Sequence, residues 1–130
     1  QQDPVYDFAP VEIYEFLRQR VAAAIAAGIP ASSIAVDLGF GFGKTLTHNL
    51  QLVNWLSLFH GLGVVVLFGA SRKSSIARIS AGEPAEARLA GSLALAAAAW
   101  RQSAQIIRVH DVAETAQALA VEAALLATNS

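Results

Sequence analysis

Val64-Val65-Val66-Leu67-Phe68, followed at once by Gly69-Ala70-Ser71-Arg72-Lys73-Ser74, decides how the rest of the chain is read. Five apolar residues without polar alternation describe a strand buried on both faces, as strands of parallel sheets are. The switch to glycine, hydroxyls and two cations marks the strand's exit. Upstream, Ser33-Ile34-Ala35-Val36-Asp37 is a shorter apolar run ending in a charge. Downstream, Gln105-Ile106-Ile107-Arg108-Val109-His110 is expected to be a third strand.

Helices are predicted around these runs. Val11, Tyr14, Leu17, Val21 and Ile25 recur at three- and four-residue spacing behind Pro10, and Gly28 with Pro30 closes that helix. Leu50, Val53, Leu56 and Phe59 mark a second helix, stopped by Gly61 and Gly63. A third is expected from near Pro84 to about Trp100. In the last helix Asp111 is the expected cap, and Val112, Ala116, Leu119 and Ala123 or Ala124 line one side. A helix followed by three strand–helix units means an α/β fold with a parallel sheet and right-handed crossovers. Ligands of such folds bind where strands end and the following loops begin. The three exits therefore lie along one edge.

The 130 residues are 55% hydrophobic and 15% charged, which supplies a core and excludes disorder. A formal charge of −1 provides no basic field for a nucleic-acid backbone or an anionic membrane surface. The absence of cysteine excludes disulfides, Cys-ligated zinc and thiol nucleophiles, and suits a cytoplasmic chain. Gln1-Gln2-Asp3-Pro4 does not read as a secretory leader. Ile76–Ala99 is interrupted by Arg78, Glu83, Pro84, Glu86 and Arg88, short of the roughly 18 apolar residues of a membrane span. No linker divides the chain, so residues 1–130 read as one domain. With no methionine anywhere, a processed or truncated chain is expected.

Each exit carries its own chemistry. Asp37 ends an apolar strand, where a carboxylate needs a partner. It could accept two N–H groups from an amidine-like ring edge, cap its own loop, or pair with Lys44. Gly39-Phe40-Gly41-Phe42-Gly43-Lys44-Thr45 ends as a P-loop does, but position 38 is Leu where that motif needs glycine. The dinucleotide fingerprint fails at position 44, which is Lys. Phe40 is expected to pack inward and Phe42 to offer a stacking surface. Arg72 and Lys73 combine a planar fork with a movable point charge, suited to an anion or simply solvated. Arg108 and His110 project to one side of their strand and suit a di- or triphosphate. The three histidines lack zinc-ligand spacing, and no nucleophile elbow is present.

Asp37–Thr45 with His48-Asn49-Leu50, Gly69–Ser74, and Arg108–Val112 together resemble one family, dihydropteroate synthase, the folate-pathway enzyme inhibited by sulfonamides. The resemblance runs from Tyr6 to the end and covers only the C-terminal part of that enzyme. It implies a TIM-type (β/α) barrel of about 250 residues, of which this chain would supply strands six to eight. The implied reaction joins 4-aminobenzoate to 6-hydroxymethyl-7,8-dihydropterin pyrophosphate, giving dihydropteroate. On that resemblance Asp37, Gly69 and Lys73 would bind the pterin, and Phe42, Arg72 and Ser74 would contact 4-aminobenzoate. Arg108 and His110 would hold the pyrophosphate, with Lys44 in support.

Mg²⁺ is implied as a family requirement, its protein ligand lying in the N-terminal part and none in this chain. Leu38 stands where the family usually has Pro. Without the N-terminal loops the chain alone is expected to be weakly active or inactive. Three strands would leave open edges and an uncovered inner face. A homo-oligomer, a swapped dimer or pairing with an N-terminal half is therefore expected, with Pro84–Trp100 and Val112–Ala127 as contact surfaces. The alternative is a non-catalytic truncated fragment or pseudo-enzyme, an oligomeric pterin- or phosphate-binding domain. A generic phosphate-binding α/β module is the third reading.

Overall fold

A computed structural model describes residues 7–129. Strands β1 (Ala35–Asp37), β2 (Val65–Phe68) and β3 (Ile106–Ile107) form one sheet in the order β1-β2-β3. Both pairings are parallel, with Asp37 beside Leu67 and Phe68 beside Ile107. That register brings the exits after Asp37, Phe68 and Ile107 to one edge, as the sequence predicts.

Five α-helices accompany the sheet among the described residues: α1 (Ala9–Ala26), α2 (Leu46–Asn54), α3 (Ser74–Ile79), α4 (Leu89–Arg101) and α5 (Val112–Thr128). Val36, Val66 and Phe68 point from the strands into a core with Ile13, Leu52, Leu56, Phe59 and Ala99. On the other face, Val65 and Leu67 are half-buried and Ile106 is 44% exposed. The expectation of burial on both faces thus holds for one face only. The helices cover the Val66–Phe68 side, and nothing among the described residues lies over the side of Val65 and Leu67.

Several boundaries differ from the sequence reading, each for a local reason. Ser33 belongs to a 3₁₀ turn (Ala31–Ser33), so β1 starts at Ala35. β3 is two residues long, although Arg108 N–H still donates to Phe68 O at 2.9 Å. On α1 the buried face runs through Ala9, Ile13 and Val21, leaving Val11 and Ile25 exposed. α2 ends at Asn54, and the buried Leu56 and Phe59 sit on a 3₁₀ segment, Leu56–Leu62. Its start is a capping box: Thr45 Oγ1 accepts His48 N–H, and His48 Nδ1 accepts Thr45 N–H.

The single helix expected from Pro84 is divided differently. Ser74–Ile79 forms a separate short helix, α3, Ala85–Ala87 is a 3₁₀ turn, and α4 begins only at Leu89. Asp111 precedes α5 but makes no side-chain cap, because its carboxylate is committed to Arg72. The apolar side expected on α5 is not buried: Val112 is exposed, and Thr115 is the buried residue of that helix. No helix among the described residues is long and apolar enough to cross a membrane.

Candidate functional site

Side chains hold the glycine loop by its backbone. Asp37 Oδ1 accepts Gly39 N–H at 2.9 Å, and Asn49 Oδ1 accepts Gly41 N–H at 2.8 Å. Lys44 Nζ donates to Gly39 O and to Phe42 O, both at 2.8 Å, closing the loop on itself. Lys44 therefore staples the turn, and Asp37 pairs with a different cation. Gly41 has a φ of +87°, and a Cβ there would lie 2.8 Å from Lys73 Cδ, so both conformation and space require glycine. Phe40 is buried edge-on against Phe68, their centroids 5.5 Å apart, whereas Phe42 is 65% exposed.

The second exit crosses to the first and third. Lys73 Nζ donates to Phe40 O at 2.7 Å and stands 4.0 Å from the centroid of the Phe42 ring. Ser71 Oγ accepts His110 N–H at 3.2 Å and lies 2.9 Å from His110 Nδ1. Arg72 Nη2 donates to Asp111 Oδ1 at 3.0 Å. Ser74 is the exposed first residue of α3. From the third exit, Arg108 Nη1 reaches Asp37 Oδ2 at 3.1 Å, spanning β1 to β3. Its guanidinium passes over Gly69, where a Cβ would be 2.5 Å from Nη2. Gly69 is thus the gap through which Arg108 reaches Asp37.

Gly69, Ser71, Lys73, Arg108, Val109 and His110 line a cavity of about 100 Å³. Asp37 lies on a neighbouring cleft of about 330 Å³, with Ile13, Phe16, Leu17 and Lys44 among its walls. Small-molecule sites usually measure about 300–1,000 Å³, so the polar cavity is a fraction of one. Larger clefts of about 550 and 630 Å³ border α5 but hold none of the strand-end chemistry. Of the residues singled out from sequence, Gly69, Lys73, Arg108 and His110 share one cavity, and Asp37 joins them through Arg108. Arg72 and Ser74 are not in its walls. Sequence reasoning assigned no contact to Ser71, Asn49 or Ser92. Asn49, 2% exposed among apolar neighbours on α2, was the one with a legible signal.

Burial lowers the pKa of Lys73 below its ordinary value; Arg108 adds to this and Asp37 opposes it. Burial likewise lowers that of Lys44, opposed by Asp37 and helped by Lys73. The folded chain holds both protons less tightly than the unfolded chain, so unfolding takes up protons and stability from these groups rises with pH. The rise occurs between the lowered values and the ordinary lysine value of 10.5. Urea unfolding across that alkaline window should show it, and Lys44→Gln should flatten the profile; an unchanged slope in the variant refutes the assignment to Lys44. Among the described residues no three His, Asp or Glu groups come together to hold a metal ion.

Parallel strands alternating with helices, with Asp37, Lys73, Arg108 and His110 converging beyond the strands' carboxyl ends, make the ligand-binding edge of a parallel α/β sheet. The sequence profile of the pterin-binding enzymes matches residues 1–110, and the chain belongs to that family. Dihydropteroate synthase of Escherichia coli strain K12 is 44% identical over 126 residues, 97% of this chain and 44% of that protein. The crystal structure of dihydropteroate synthase from Stenotrophomonas maltophilia, with imidazole in its active site, superposes with a TM-score of 0.94 at 42% identity. It covers 98% of this chain and 48% of that one. The Xanthomonas albilineans enzyme in complex with 7,8-dihydropteroate gives 0.92 at 44% identity, covering 95% of this chain and 47% of that one. The chain thus spans about half the length of the relatives it matches.

Proposed function

We propose that this chain supplies part of the active site of a dihydropteroate synthase, which condenses 6-hydroxymethyl-7,8-dihydropterin pyrophosphate with 4-aminobenzoate. The observation that carries the reading is the meeting of Asp37, Lys73 and Arg108, from three separate strand exits, at one sheet edge. Relatives were crystallised with 7,8-dihydropteroate and with 4-aminobenzoic acid, which supports the same substrates here.

In the proposed reaction the amine nitrogen of 4-aminobenzoate forms a bond to the pterin's methylene carbon. The bond from that carbon to the diphosphate oxygen breaks, its electron pair leaves with pyrophosphate, and the amine gives up a proton. The protein's part is orientation and charge stabilisation. Asp37 accepts N–H groups of the pterin's amino-pyrimidine edge, and Lys73 contacts the ring where Gly69 leaves room. Arg108 and His110 neutralise the leaving pyrophosphate. Phe42 and Ser74 offer a face and a hydroxyl to 4-aminobenzoate, with Arg72 behind them. Magnesium, as the family resemblance implies it, would be held by residues of the N-terminal part and would supply positive charge to the leaving pyrophosphate.

The open Val65–Leu67 face and the small polar cavity favour a second partner for function, either a complementary N-terminal half or another copy of this chain. They also favour the second reading, a pterin- or phosphate-binding domain without turnover. Dihydropteroate formation should be assayed with Mg²⁺, first with this chain alone and then with an N-terminal half from a relative added. Product only in the mixture is the expected result. No product from a correctly folded mixture overturns the catalytic reading in favour of binding alone.

A further inference from the structure

We propose that Ser92 and Arg88, at the start of α4, are positioning residues for the second exit: they clamp Arg72 in a strained conformation and thereby aim Lys73 at the site. The inference rests on the functional reading above for the identity of the ligands, and on the geometry alone for the clamp.

Arg72 has a φ of +59°, in the left-handed region that side chains with a Cβ rarely occupy. Such a residue persists only where its surroundings over-determine it. Both peptide groups flanking Arg72 are held by α4. Its N–H donates to Ser92 Oγ at 2.9 Å, and its carbonyl accepts from Arg88 Nη1 at 2.8 Å. Ser92 Oγ in turn donates to Arg88 O at 2.7 Å, and Arg88 Nε donates to Glu83 O at 2.8 Å. The buried Ser92 hydroxyl therefore spends its proton on one side of the clamp and a lone pair on the other.

The platform beneath is firm. A Cβ on Gly91 would collide with Ile76 Cγ2, so α4 rests directly on α3 at this point. Above it, three consecutive side chains diverge: Ser71 to His110, Arg72 to Asp111, and Lys73 to Phe40 O and the Phe42 ring. Relaxing Arg72 to a negative φ would rotate the chain that follows, Lys73 first. Neither Ser92 nor Arg88 lines the polar cavity, so each acts through Arg72.

The test uses Ser92→Ala, Ser92→Thr, and Ser92→Ala combined with Arg72→Gly, since glycine adopts a φ of +59° without strain. Hydrogen exchange at the Arg72 amide is read on this chain. Affinity for dihydropterin pyrophosphate is read by calorimetry with the N-terminal half added. Ser92→Ala should speed Arg72 exchange and weaken affinity about tenfold, while Ser92→Thr stays within about twofold of the parent. The glycine double variant should regain most of the lost affinity, which a purely structural role for Ser92 does not predict. Arg88→Gln, which frees the Arg72 carbonyl, provides the same reading if Ser92→Ala does not fold. Faster exchange with unchanged affinity, or no rescue by glycine, overturns the inference while leaving the functional reading intact. A folded parent mixture that does not bind the pterin overturns the functional reading, and this inference with it.

Discussion

Asp37→Asn should weaken binding of the dihydropterin pyrophosphate by about 100-fold, roughly 3 kcal/mol, while leaving inorganic pyrophosphate binding nearly unchanged. The two side chains have the same shape, so the change is in charge and polarity. Asparagine still offers Oδ1 to Gly39 N–H, the contact that Asp37 makes at 2.9 Å, and the loop keeps its turn. Its amide nitrogen, however, is a donor facing the pterin's own donors, so one accepted hydrogen bond becomes a clash of like groups. Arg108 loses the carboxylate that holds it at 3.1 Å and is left wholly available to phosphate oxygens. Calorimetry with the two ligands, on the chain supplemented with an N-terminal half, separates the effects. Equal losses for both would mean that Asp37 serves only to orient Arg108, and would refute its pterin role.

Phe40→Ala should cost about 3–5 kcal/mol of stability, the usual range for deleting a buried phenyl ring. Phe40 is 1% exposed and packs edge-on against Phe68, the last residue of β2. Its ring anchors the glycine loop to the core, and its carbonyl receives Lys73 Nζ. The substitution should therefore loosen the first and second exits together. Phe42→Ala, two residues on, removes a ring that is 65% exposed and should change stability by less than about 0.5 kcal/mol. Urea unfolding of the two variants tests the contrast. Comparable losses in both would show that Phe42, too, bears on the core.

The two phenylalanines illustrate how far a linear reading reaches. Gly-Phe-Gly-Phe-Gly alternation by itself gives the two rings no different settings; the expectation that Phe40 packs inward agrees with its 1% exposure, against 65% for Phe42. The strand exits were legible because parallel strands share one direction, so their ends share one edge. The family was legible through three motifs in order. Helix boundaries were less so: Gly82-Glu83-Pro84 looks like a helix entrance, yet α4 starts at Leu89. The extent of α3 was not legible, because six residues provide too little periodicity to delimit a helix.

Order along the chain, the polar chemistry of each exit, and the apolar run Val64–Phe68 as a central strand were determined by sequence alone, because they depend on local pattern and on the direction of parallel strands. Which charges meet was decided only by the tertiary structure. Asp37 pairs with Arg108 and not with its near neighbour Lys44; Asp111 leaves its helix to bind Arg72; Ser92 holds a backbone strained 20 positions earlier. Each partnership depends on distances across the sheet edge, set by register and by how α4 sits on α3. The run Val64–Phe68 carries the same lesson for packing. Its residues are written for burial on both faces, and the described residues bury one, because which face is covered depends on how distant helices pack and not on local pattern.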